Sequence, residues 1–122
     1  MDPVDPDARH VYDFNSALGL RLGEDGETVE LEARAPEHQI GHGMVHLAVL
    51  TTMGEVAAAH AAQVAVVPST LTATFLRPAP LGPLRARGKL LRRGRRLCTA
   101  EGEVYAGDAL VAKVLVTFAV VA

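Results

Sequence analysis

The chain has 122 residues, of which 49% are hydrophobic and 21% charged, and its formal net charge is −2. It is too apolar for a disordered chain, too short for two domains, and lacks the positive charge that draws proteins to nucleic acid or anionic membranes. A single cysteine rules out an internal disulfide framework or cysteine metal cluster, and two tyrosines and three phenylalanines with no tryptophan supply few base-stacking platforms. One domain over residues 1–122 is expected. The acidic, proline-rich opening Met1-Asp2-Pro3-Val4-Asp5-Pro6-Asp7 is the opposite of a signal or transit peptide, and no apolar run reaches bilayer length. A cytoplasmic protein, with neither membrane nor nucleic acid as partner, is the expectation.

In chain order, Val11, Phe14 and Leu18 recur at helical spacing and predict a short helix over 7–17. Leu18, Leu20 and Leu22 then alternate with other residues, and Asp25-Gly26 is a hairpin turn signal. Beyond it Val29, Leu31 and Ala33 alternate with Glu30, Glu32 and Arg34, giving two half-buried antiparallel strands closed by Ala35-Pro36. Residues 43–62 lack proline, are rich in alanine and are apolar nearly all round, which predicts a long helix enclosed by the rest of the fold. From Pro68, Leu71, Ala73 and Phe75 face one way and Thr70, Thr72 and Thr74 the other, until Pro78 and Pro80 end the strand. Arg85, Arg87 and Lys89 alternate with Leu84, Ala86 and Leu90 up to an Arg92-Arg93-Gly94-Arg95 turn. Thr99, Glu101 and Glu103 form the returning polar face, on which Glu101 and Glu103 are expected to pair with Arg87 and Lys89. Gly107-Asp108 turns the chain into 109–121, apolar on both faces and so expected to be covered on both. Helix, hairpin, long helix and four antiparallel strands imply an α+β fold in which a curved antiparallel sheet wraps one long central helix.

Within that helix lies the most informative residue. Between Glu37 and Arg77 the only formal charge is Glu55. A carboxylate in such a run costs several kcal/mol unless paired or used, and the run offers no Lys or Arg. An isolated, perturbed carboxylate is what acid–base catalysis needs; the bland alternative is a solvated helix charge. His42 and His46 stand at i, i+4, but His42 falls just outside a helix that starts at Gly43 and no third helical ligand is evident, so no metal site is expected. Cys98 falls in a strand without an adjacent base and reads as a packing residue.

Two strings resemble the hotdog-fold acyl-CoA thioesterases, in particular the phenylacetate-degradation and 4-hydroxybenzoyl-CoA thioesterase type. The first, Pro36-Glu37-His38-Gln39-Ile40-Gly41-His42-Gly43-Met44-Val45-His46-Leu47-Ala48 through Glu55, is similar to the family's Asn, Gly-x-x-His-Gly-Gly, apolar helix and acidic residue. Gly43, His46 and Glu55 fall on matching positions. Leu47 and Ala48 replace the two glycines, and Ile40 stands where the family has Asn, with Gln39 beside it. A rival register sets His42-Gly43 on the family's His-Gly and puts Thr51, which cannot act as a base, at the acidic position. The second string is Phe75-Leu76-Arg77-Pro78-Ala79-Pro80, followed by Gly82, the arginine turn and the strand through Thr117-Phe118.

The resemblance implies hydrolysis of an acyl-CoA thioester, with coenzyme A part of the substrate and no other cofactor. Glu55 would act as general base or nucleophile. The helix N-terminal amides near Leu47 and Ala48, shaped by His46, would hold the oxyanion. Gln39, Gly43 and Arg77 would contact substrate, and Arg92, Arg93 and Arg95 would grip the coenzyme A phosphates. Leu47 and Glu55 stand eight residues apart, about 12 Å along a helix, too far for one thioester carbonyl and its water. A homodimer or homotetramer is therefore expected, with the amides of one subunit facing Glu55 of another. The missing glycines and Asn favour an alternative, a non-catalytic acyl-CoA-binding or sensing hotdog protein. A hotdog dehydratase using His46 or His38 is a third option.

Overall fold

A computed structural model of the chain describes residues 13–41 and 43–121. Among the described residues the first helix, α1, spans Phe14–Leu18; Asp13 caps it by accepting from the N–H groups of Asn15 and Ser16, and Gly19 closes it at φ 98°. Residues 7–12 of the expected helix lie outside the described residues. The hairpin forms as predicted between β1 (Arg21–Leu22) and β2 (Val29–Ala33). Asp25 holds its turn: the carboxylate accepts from the Thr28 hydroxyl at 2.6 Å and from the N–H groups of Thr28 and Glu27, which lowers its pKa to about 2. A 3₁₀ turn (Pro36–His38) leads to α2 (Leu47–Ala62), then β3 (Val66–Phe75), β4 (Gly82–Arg93), β5 (Leu97–Ala106) and β6 (Ala109–Val120).

The strands form one antiparallel sheet in the order β1-β2-β4-β5-β6-β3. α2 lies across β4, β5 and β6. It buries Val49, Leu50, Met53, Ala57, Ala58 and Ala62 against sheet residues that include Ala86, Val104, Ala112, Val114 and Phe118. The approach is closest over Gly88 and Gly102, where a methyl group would run into the carbonyls of Ala57 and Gly54 respectively. This is the α+β arrangement, a sheet packed on one long helix, that the hotdog resemblance implies.

Five expectations change. α2 begins at Leu47 because Gly43 takes φ 75° and the residues after it join bridges, Val45 to Gln39 and Met44 to Pro80. Nor is α2 enclosed within the chain: the sheet covers one face, while Ala48 is exposed and Thr51, Thr52, Glu55 and Ala59 are half-buried on the other. β3 starts before Pro68. As an edge strand it loses no ladder bond to the missing N–H, and its register shifts between Pro68 and Thr70. β6 is covered on one face only, leaving Leu115 44% exposed. Finally, Arg87 and Lys89 do sit opposite Glu103 and Glu101, but the ion pairs differ. Arg87 reaches Glu27 at 3.0 Å and Asp25 at 3.6 Å, because the hairpin folds back over it, and Lys113 of β6 bridges Glu101 and Glu103.

Candidate active site

The N-terminus of α2 is fixed from three sides. The N–H of Val45 donates to Ala79 O at 2.9 Å, that of His46 to His38 O at 2.7 Å, and that of Ile40 to Met44 O at 2.9 Å. His46 is the N-cap, with extended backbone, and its ring Nδ1 accepts the Ala48 N–H at 2.9 Å. A nitrogen that accepts a backbone N–H carries no proton, so the neutral ring bears its hydrogen on Nε2. The cap has a consequence for the expected oxyanion donors. Ala48 N–H is engaged by His46, whereas Leu47 N–H has no acceptor among the described residues. One free amide, at the positive end of a 16-residue helix, is therefore presented beside Leu47.

Glu55 lies two turns further along, on the face of α2 turned away from the sheet. It is half-buried, and burial raises its pKa above the ordinary value of 4.5. Among the described residues no side chain pairs with it. The nearby hydroxyls of Thr51 and Thr52 donate instead to the carbonyls of Leu47 and Ala48, at 2.8 and 2.7 Å. Leu47 and Glu55 are on one helix, so their separation of about 12 Å cannot close within a chain.

Two mainly apolar cavities flank the helix N-terminus. One, of about 410 Å³, lies toward the β3–β4 connection and is lined by Ile40, Met44, Leu47, Leu50, Phe75 and Leu76, with Arg77 its only charged residue. The other, of about 380 Å³, lies toward α1 and includes Phe14, Val49, His46 and the carboxylate of Glu37. The patterning of the sequence singled out neither Met44 and Leu50 nor Phe14 as site residues; these side chains come from separate elements and meet only in the fold.

Of the other candidates, Arg77 joins the cavity beside Leu47, and Gly43 lies in the turn just before the helix. Gln39 spends its side-chain amide on Arg34 O at 3.0 Å and Ala35 O at 3.4 Å. Arg92, Arg93 and Arg95 sit at the opposite end of α2, where Arg93 donates to Ala62 O at 3.0 Å. That end is about 22 Å from Leu47 at ~1.5 Å per residue, so one chain does not bring the arginine turn to the amide. The histidines hold backbone: Nε2 of buried His38 donates to Leu18 O and Nε2 of His60 to Gly26 O, both at 2.7 Å. Among the described residues no three His, Cys, Asp or Glu groups converge as metal ligands, and no helix is long and apolar enough to cross a membrane. Cys98 is buried and unpaired.

The sequence pattern of the thioesterase superfamily matches residues 42–113, more than half of the chain. No curated protein matches it. Among solved structures, a Bacillus halodurans protein determined with CoA has 23% identity and a TM-score of 0.79, over 94% of this chain and 81% of that one. A candidate esterase from Mycobacterium tuberculosis has 29% identity and a TM-score of 0.77, covering 88% and 95%. A point mutant of the phenylacetic acid degradation protein PaaI from Thermus thermophilus has 28% identity and a TM-score of 0.77, covering 88% and 98%. The matched segment contains both Leu47 and Glu55.

Proposed function

This chain belongs to the thioesterase superfamily and is a thioester hydrolase, and on that premise we propose that it cleaves an acyl-CoA thioester to the free acid and coenzyme A. The observation that carries this reading is Glu55: a half-buried carboxylate with a raised pKa and no partner among the described residues, on the uncovered face of the helix that presents the free Leu47 amide. CoA accompanies the Bacillus halodurans structure of the same fold, and it is the carrier to assay first.

In this reading Glu55 takes a proton from water as the water oxygen bonds to the thioester carbon. The carbonyl π pair moves onto oxygen, where the Leu47 N–H and the helix dipole stabilise it. The pair returns, the carbon–sulfur bond breaks, and the departing thiolate collects the proton from Glu55. His46 acts as a positioning residue that fixes the first turn.

The 12 Å gap requires two chains, Leu47 from one and Glu55 from the other. Edge strand β3 suits that assembly: across its ten residues it carries no charge, and Val67, Leu71 and Phe75 are 50%, 40% and 42% exposed. Native edges of this length are normally charged or covered. Pairing β3 with a second copy about a two-fold axis would set the two α2 helices antiparallel. It would also carry the Arg92–Arg93–Arg95 turn of each chain toward the other's Leu47, where its guanidiniums and Arg77 would meet phosphate.

Thiol release from acyl-CoAs by wild type and Glu55→Gln tests the reading. The variant should stay folded and lose about 10²–10⁴-fold in rate; an unchanged rate would remove Glu55 from the mechanism. Sedimentation should show a dimer or tetramer, and a fully active monomer would exclude the shared site.

A further inference from the structure

Resting on the acyl-CoA reading, we propose that the cavity beside Leu47 receives the acyl group and selects unsubstituted alkanoyl chains over hydroxylated ones. Its volume, about 410 Å³, falls in the range of small-molecule sites, roughly 300–1,000 Å³. Ile40, Met44, Leu47, Phe75 and Leu76 are each between 40% and 51% exposed, and all five converge on it. Such a concentration of exposed apolar surface marks a site that is covered in use.

Apart from Arg77 every lining side chain is hydrocarbon or thioether, so the side chains offer a hydroxyl group only that guanidinium. Among the backbone donors, Ile40 N–H is spent on Met44 O, Met44 N–H on Gly41 O, Val45 N–H on Ala79 O and Leu76 N–H on Val111 O, and the free Leu47 N–H is the one that would hold the thioester carbonyl. A chain hydroxyl away from Arg77 loses its water once the cavity is covered and finds no side-chain partner. The cavity on the α1 side is the weaker candidate: Leu47, whose N–H would hold the thioester carbonyl, lines the other cavity and not this one.

The experiment is calorimetric titration with two thioethers that cannot be hydrolysed, S-octyl-CoA and S-(8-hydroxyoctyl)-CoA, with CoA itself as reference. S-octyl-CoA should bind about 10–100-fold more tightly than the hydroxylated ligand, the discrimination an apolar pocket achieves against an added hydroxyl. Met44→Ser should weaken S-octyl-CoA and narrow that ratio, while Ala17→Phe, at a residue that lines the α1-side cavity, should leave it unchanged. Equal affinities, S-octyl-CoA no tighter than CoA, or a ratio lost in Ala17→Phe and kept in Met44→Ser would overturn the assignment. Thiol release from octanoyl-CoA is measured in parallel. Alkyl selectivity without thiol release would refute hydrolysis and leave the cavity assignment standing; release without selectivity would do the reverse.

Discussion

On the inner face of α2, Met53, Ala57 and Ala58 are at most 1% exposed, and the helix backbone rests on glycines of β4 and β5 that leave no room for a methyl group. On the outer face, Ala48, Thr51, Thr52 and Ala59 surround Glu55 with small side chains and no counter-charge. Both faces use short residues, Gly54, Ala57 and Ala58 inside and Ala48 and Ala59 outside, yet for different reasons. Inside, shortness brings helix and sheet into contact, where interiors are close-packed and volume changes are felt at once. Outside, it leaves Glu55 only half covered, with room beside it for the second chain of the proposed assembly. The inner face packs helix on sheet; the outer face carries the carboxylate proposed as the base.

That contrast can be broken in order of effect. Met53→Ala opens a cavity under the helix and should cost about 2–5 kcal/mol in urea unfolding. Gly102→Ala forces α2 off the sheet and should cost about 1–3 kcal/mol or more. His46→Ala removes the cap and should cost about 0.5–2 kcal/mol, recovered by His46→Asn, which can still accept the Ala48 N–H. Thr52→Ala on the outer face should change stability by less than about 0.5 kcal/mol; a cost matching Met53→Ala would erase the distinction.

The smallest effect concerns pH. Burial raises the Glu55 pKa, so the folded chain keeps this proton to a higher pH than the unfolded chain does. Stability therefore falls as pH rises from the ordinary value of 4.5 through the raised one, and the loss is complete above it. Glu55→Gln should raise Tm at pH 7 and have little effect below pH 4.5, as thermal melts across pH would show. In the proposed mechanism the carboxylate must be ionised, so the acid limb of kcat/KM should lie above 4.5.

Local pattern alone determined much of this protein. Alternation marked β2, β4 and β5, Asp25-Gly26 marked the hairpin, and a charge-free stretch isolated Glu55 as the residue to explain. The similarity of residues 36–55 to a family motif put His46 in the first turn of a helix expected from residue 43, whereas the fold makes it the N-cap of a helix that starts at Leu47. Only tertiary structure decided which face of α2 is covered, since a helix apolar nearly all round carries no directional signal. It also decided that Leu115 points away from the core, that Arg87 pairs across to the hairpin, that His46 occupies the Ala48 amide, and that Ile40, Leu50 and Phe75 line one cavity. Periodicity records what neighbours along the chain do together. Coverage, ion-pair choice and cavity shape depend on residues tens of positions apart, whose meeting is set by how the sheet folds over the helix.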